Sequence, residues 1–89
     1  MPYIKPDRRP TLDWDMAALI ANLSSGDWSA GDVNYVISKL VIAWFKEKRR
    51  YQTICEVSGT LDCVSKEFYR RFAVEYEEEK ISENGDITD

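Results

Sequence analysis

The chain has 89 residues, of which 44% are apolar and 31% are charged. This length allows one modest hydrophobic core, and the apolar fraction is too high for a wholly disordered chain. The sequence contains no histidine, which excludes the usual general base near neutral pH and the commonest zinc ligand. We therefore expect no enzymatic activity, no metal site and no cofactor.

The net charge of −4 conceals an uneven distribution. Residues 1–50 carry eight basic and six acidic side chains, whereas residues 75–89 carry one lysine and seven acids. A protein that binds duplex DNA needs a basic surface that displaces counterions. The sequence therefore predicts no duplex nucleic acid partner.

The composition also favours a cytoplasmic protein without a membrane segment. Residues 1–10 are polar and basic, unlike a signal peptide, and the longest apolar run, residues 40–45, is too short to cross a bilayer. Cys55 and Cys63 lie eight residues apart, about 12 Å on a helix, which exceeds the reach of a disulfide. We expect both thiols to be reduced and half-buried.

The first half of the chain predicts an arm and two helices. Three prolines in residues 1–10 indicate an extended arm. Thr11 or Asp13 is a candidate N-cap for the first helix, which ends within residues 24–27. Asp32 is a candidate N-cap for the second, whose apolar residues recur at helical spacing over residues 33–45. This helix closes on the basic run 46–50, a set typical of a solvated helix end.

The second half predicts one long helix over residues 52–80. Its apolar residues follow at steps of three and four: Ile54, Val57, Leu61, Val64, Phe68 and Phe72. Asn84 and Gly85 supply a stop signal, and residues 82–89 form a frayed acidic tail. A helix of roughly 40 Å is too long for a compact 89-residue monomer to cover. The predicted fold is therefore all-α, a single three-helix domain over residues 1–89 that forms a homo-oligomer.

Several segments together resemble a family of small uncharacterised proteins of bacteria and their phages. The segments that carry the resemblance, in order, are residues 1–8 (MPYIKPDR), 31–37 (GDVNYVI), 56–63 (EVSGTLDC), 68–71 (FYRR), 76–77 (YE) and 80–86 (KISENGD). They span nearly the whole chain, from the MPYIK start to the ENGD end. The resemblance implies no established activity, catalytic residue or cofactor.

Cations and tyrosines form the candidate ligand site. A phosphate could be held by the cations while a tyrosine stacks on a base. The candidate residues are Tyr3, Lys5, Arg8, Lys66, Tyr69, Arg70 and Arg71. In the alternative interpretation the arm cations stay solvated and Arg71 pairs with Glu67 and Glu75 as ordinary surface charge.

The acidic residues at the end of the long helix could in principle act as paired carboxylates. No second cluster completes such a site, so a solvated helix end is the favoured interpretation. The residues concerned are Glu75, Glu77, Glu78, Glu79, Glu83 and Asp86.

The apolar surplus defines a candidate protein interface. Aromatic residues dominate interface hot spots, and the candidate anchors are Trp28, Ile42, Trp44 and Tyr51. The favoured function is a non-catalytic helical binding protein, homo-oligomeric and phage-associated. The alternative is a sponge of the anti-defence type that sequesters a nucleotide signal, by analogy with small helical phage proteins. A small enzyme is the least supported class.

Overall fold

The computed structural model describes residues 4–88, and its regular structure in that range is helical throughout, with no strand. In chain order it contains a 3₁₀ turn (Pro6–Arg8), α1 (Arg9–Ser25), α2 (Ala30–Glu47), α3 (Tyr51–Phe68), a π-helical turn (Tyr69–Ala73) and α4 (Val74–Asn84). The all-α prediction is confirmed. Contacts divide the chain into two compact units, Met1–Arg49 and Arg50–Asp89, which we describe separately.

The first unit becomes helical earlier than the sequence suggested. Lys5 is extended, but Pro6 opens the 3₁₀ turn and Pro10 lies in the first turn of α1. The first turn of a helix tolerates proline because its N–H has no intrahelical partner there. The prediction of an extended arm is therefore wrong for residues 6–10, and residues 1–3 lie outside the described part. The predicted cap at Thr11 or Asp13 is also wrong, since α1 begins at Arg9.

A Schellman turn ends α1 at the predicted place. The Trp28 N–H donates to the Leu23 carbonyl at 2.9 Å and the Asp27 N–H donates to the Ser24 carbonyl at 3.0 Å. These are the 6→1 and 5→2 bonds of the motif, which places Asp27 in the left-handed region that glycine usually occupies. Asp27 and Trp28 both have positive φ, 59° and 53°. The turn thus satisfies the last carbonyls of α1 without a glycine at the left-handed position.

Ser29, not Asp32, caps α2. The Ser29 hydroxyl accepts from the Asp32 N–H at 3.4 Å, and Asp32 instead lies in the first turn, where its charge suits the helix dipole. At the other end the Lys48 N–H donates to the Trp44 carbonyl at 3.0 Å. The helix therefore ends at Glu47, at the start of the predicted basic run.

The second unit consists of one uninterrupted helical stretch, which we call the long helix (residues 51–84). The backbone stays helical from α3 through the π-helical turn into α4. Gly85, at φ 86°, ends it as the stop signal predicts, and its N–H donates to the Ile81 carbonyl at 2.8 Å. The long helix therefore extends four residues beyond the predicted end, and residues 82–84 of the expected tail belong to it.

No apolar side chain is buried anywhere in residues 4–88. Thr53, 1% exposed, is the one buried residue in this described range, and its hydroxyl has no hydrogen-bond partner there. Cys55 and Cys63 are free but exposed, so the expectation that they are half-buried is wrong. Large exposed apolar surface marks a site that another molecule covers. The described part of one copy therefore lacks the hydrophobic core that the composition led us to expect.

Candidate interaction surface

The long helix carries a stripe of apolar side chains with the spacing of a coiled coil. From Ile54 to Phe68 the steps are three, four, three and four residues, which is the a/d pattern of a heptad repeat. We call the stripe the seam. Its members are Ile54, Val57, Leu61, Val64, Phe68, Phe72 and Tyr76.

The π-helical turn keeps the seam continuous where its spacing changes. A strict heptad would place the next apolar residue at Arg71, but it is Phe72, one residue later. A π turn closes i→i+5 and so takes up one more residue than an α turn, and Tyr69–Ala73 is that turn. The rings of Phe68 and Phe72 stack at a tilt with centroids 5.5 Å apart. The backbone therefore absorbs the extra residue and returns Phe72 to the seam.

The aromatic part of the seam is exposed and forms a shallow apolar groove. Phe68, Phe72 and Tyr76 are 63%, 59% and 59% exposed. Together with the half-buried Ala73 they line a groove of about 400 Å³. Three aromatic side chains at equal steps of four residues offer the kind of surface that dominates interface energetics.

The predicted basic cluster lies on the same stretch of the long helix, and each of its cations contacts a carboxylate. Lys66 Nζ lies 2.7 Å from an Asp62 carboxylate oxygen, which raises the pKa of Lys66 through a hydrogen bond and charge attraction. Arg70 and Arg71 lie 3.0 and 3.6 Å from the same Glu67 oxygen. The predicted Glu67–Arg71 pair is confirmed. An anionic ligand would have to compete with these carboxylates.

Tyr69 contacts the next turns of the long helix. Its hydroxyl donates to the two Glu77 carboxylate oxygens at 3.2 and 3.4 Å. This hydrogen bond raises the pKa of Tyr69, because ionisation would place a phenolate against a carboxylate. At regular α-helical spacing, residues 69 and 77 would lie about 80° apart around the helix axis. The intervening π turn reduces that angle and brings the Tyr69 hydroxyl to Glu77.

The structure places the candidate ligand residues in two groups. Lys66, Tyr69, Arg70 and Arg71 share six consecutive residues of the second unit. Lys5 and Arg8 belong to the first unit, where Arg8 ends the 3₁₀ turn. Tyr3 lies outside the described residues. A single site that combines the arm with the long helix stays a prediction.

The candidate interface anchors differ in exposure. Trp28, Ile42 and Tyr51 are exposed, whereas Trp44 is half-buried. Exposed aromatic residues that were missed as anchors include Trp14, Tyr35 and Tyr76. For Tyr76 a signal existed, since it follows Phe72 by the same step of four. Trp14 has no such signal, because it lies on the side of α1 opposite to the half-buried Leu12, Leu19 and Leu23.

A second groove lies at the end of the long helix. It has a volume of about 450 Å³, and residues on its wall include Tyr76, Glu77, Lys80 and Ile81. Lys80 bridges to Glu83 at 3.2 Å and also lies over the Tyr76 ring, 5.4 Å from its centroid. No group of three potential metal ligands occurs within residues 4–88. No helix in that part of the chain is long and apolar enough to span a membrane.

Fold and surface together define a small all-helical protein whose long helix carries a largely exposed apolar seam at heptad spacing. The chain belongs to the DUF6899 family, a domain of unknown function, whose model matches residues 1–87. The resemblance to an uncharacterised family is thereby confirmed, while a bacterial or phage origin stays a prediction. No curated protein and no solved structure matches the chain.

Proposed function

We propose that this protein is a non-catalytic helical interaction protein that acts as a homo-oligomer. The observation that carries the proposal is the absence of a buried apolar side chain in residues 4–88. Ordering a backbone costs about 1–2 kcal/mol per residue, and apolar burial is the main term that offsets this cost. In a single copy the apolar residues of 4–88 are at most half-buried, so this term is small. Association with further copies would supply it.

The side-chain chemistry supports a binding role rather than catalysis. The sequence has no histidine, and the cations of the candidate ligand site on the long helix, Lys66, Arg70 and Arg71, are engaged by carboxylates on the same helix. The most exposed chemistry is aromatic and aliphatic, which suits recognition of another protein surface. We place the protein in the cytoplasm, because Cys55 and Cys63 are free thiols, which is typical of a reducing compartment.

Sedimentation equilibrium from micromolar to millimolar concentration tests the proposal. We expect a mass that is a multiple of 10.3 kDa, and a loss of helical circular dichroism at concentrations where the oligomer dissociates. A 10.3 kDa species that unfolds cooperatively at every concentration would contradict the proposal. Such a monomer would need a core that residues 4–88 do not supply.

A second candidate function is sequestration of a phosphate-containing nucleotide signal. The observation that favours it is the placement of Lys66, Tyr69, Arg70 and Arg71 within six residues. A phosphate would displace Asp62 and Glu67 from the cations, and a base would stack on the exposed Tyr69 ring.

A thermal-shift screen against mono-, di- and cyclic nucleotides tests the second candidate. A nucleotide at a hundred times its Kd stabilises the folded state by about 2.7 kcal/mol, a large shift for a chain of this size. We expect Arg70→Ala to abolish the shift. The absence of a shift with every nucleotide would exclude this function and leave the first proposal intact.

A further inference from the structure

We infer that the seam binds the seam of a second copy in antiparallel orientation, with the twofold axis at Phe72. This inference rests on the proposed homo-oligomer and specifies its contact surface. A twofold contact is self-complementary: the same patch is used on both copies. The seam meets that requirement in its aromatic spacing, its charge distribution and its length.

The aromatic residues are arranged symmetrically about Phe72. Phe68 and Tyr76 lie four residues before and after it. An antiparallel axis at Phe72 therefore places Phe72 opposite Phe72, and Phe68 of each copy opposite Tyr76 of the other. The groove lined by these three residues has the apolar lining that such a contact needs. The π-helical turn lies at the axis, where it keeps all three aromatic side chains on the seam.

The charges of the long helix favour the antiparallel orientation. Residues 51–74 carry three basic and three acidic side chains, whereas residues 75–84 carry five acids and one lysine, a net charge of −4. A parallel pair would align the two acidic ends and repel. An antiparallel pair with its axis at Phe72 aligns residues 66–71 of one copy with residues 73–78 of the other. The segment 66–71, with three cations and one acid, then lies alongside a segment that contains Glu75, Glu77 and Glu78.

The length of the paired helices suffices for a stable contact. With the axis at Phe72, residues 60–84 of each copy overlap, because the long helix ends at Asn84. The seam in this overlap includes three aromatic residues, each of which can bury about 150–250 Å², together with Leu61 and Val64. Because the three aromatic residues are about 60% exposed in one copy, two copies would bury on the order of 1,000 Å² in total, near the lower limit for a specific interface.

The two native cysteines provide distance markers for the test. Cys55 and Cys63 are exposed, lie in the long helix and are not seam residues. A nitroxide label on Cys63 in a Cys55→Ser variant, and one on Cys55 in a Cys63→Ser variant, give two distances between copies by double electron–electron resonance. Sedimentation equilibrium on both labelled variants shows whether the oligomer is preserved.

The antiparallel arrangement predicts two different distances. With the axis at Phe72 the labelled positions are separated along the helix axis by about 27 Å for residue 63 and about 51 Å for residue 55. A parallel pair would give the same distance for both, a lateral separation of roughly 20 Å. Equal distances, or a shorter distance for residue 55 than for residue 63, would overturn the inference while the proposed oligomer stands. A monomeric protein would overturn the proposed function itself.

Discussion

The helix α1 and the long helix use similar apolar residues but distribute them differently. In α1 the half-buried apolar side chains form one short stripe of Leu12, Leu19 and Leu23, whereas Trp14, Met16 and Ile20 are exposed. In the long helix they follow a heptad spacing, with a π turn where the spacing gains one residue. An exposed apolar residue that does not belong to a repeated stripe does not define the orientation of a partner helix. A repeated stripe defines an axis and a register, so the long helix carries the more specific structural hypothesis.

The strongest test of this difference is a charge placed on the seam. Phe72→Glu buries a carboxylate at the proposed twofold axis, and truncation of a hot-spot residue costs at least about 2 kcal/mol, or a roughly thirtyfold weaker association. Val74→Glu is the matched control, since Val74 is exposed and two residues away but does not line the aromatic groove. Sedimentation equilibrium measures both. Equal effects of the two substitutions would show that the seam has no special role.

The acidic end of the long helix offers a second test, in which the sign of the effect is decisive. In the antiparallel arrangement Glu75→Gln/Glu78→Gln removes attraction to Lys66 and Arg71 of the other copy. The twofold contact contains each of these attractions twice, and exposed ion pairs contribute about 0.2–1 kcal/mol each. We therefore expect association to weaken at least about fourfold at low salt. In a parallel arrangement the same variant would relieve repulsion and strengthen association.

The control for that test removes the same charge outside the proposed overlap. Glu47→Gln/Glu56→Gln changes one residue at the end of α2 and one near the start of α3, before residue 60. We expect its association constant to equal that of the unchanged protein within about twofold. A comparable loss in both double variants would indicate a general charge effect rather than a register.

The sequence predicted those features that depend on neighbours a few residues away. The helical content and order, the stop at Gly85 and the Glu67–Arg71 pair all follow from propensity, glycine geometry or (i, i+4) spacing. The π turn was not predictable, because its residues are ordinary helix formers and its effect appears only in the seam. The Tyr69–Glu77 bond was missed for the same reason, since at regular α-helical spacing the two side chains diverge. The Schellman turn was missed because Asp27 holds the position expected of glycine.

The first unit can be tested through the cap of α2. Ser29→Ala removes the hydroxyl that accepts from the Asp32 N–H, and loss of a serine N-cap costs about 0.5–2 kcal/mol. The 3.4 Å length of the bond places the expected loss at the lower end of that range. Denaturant unfolding at one fixed protein concentration measures it, because the stability of an oligomer depends on concentration. Ser24→Ala, in the last turn of α1, is the control, with an expected change below about 0.5 kcal/mol.

The smallest expected effect concerns the pH dependence of the hydrogen bond between the Tyr69 hydroxyl and the Glu77 carboxylate, which lie on either side of the π turn. The Glu77 carboxylate raises the pKa of Tyr69 in the folded state above its unfolded value of about 10. The protonated hydroxyl is the donor, so the contribution of this bond to stability is fully present below the unfolded pKa and is lost as pH rises through the folded pKa. Of the five tyrosines, Tyr69 should therefore ionise late in an ultraviolet titration of the folded protein.

Tyr69→Phe should remove that late component, whereas Tyr51→Phe should leave it in place. The stability difference between Tyr69→Phe and the unchanged protein should be constant at neutral pH and shrink above the unfolded pKa of tyrosine. If the late component persists in Tyr69→Phe, the hydroxyl does not contact Glu77 in solution. The contact depends on the π turn, because regular α-helical spacing would separate residues 69 and 77 by about 80° around the helix axis. If the Tyr69–Glu77 contact is absent in solution, that result would therefore also argue against the π turn that returns Phe72 to the seam.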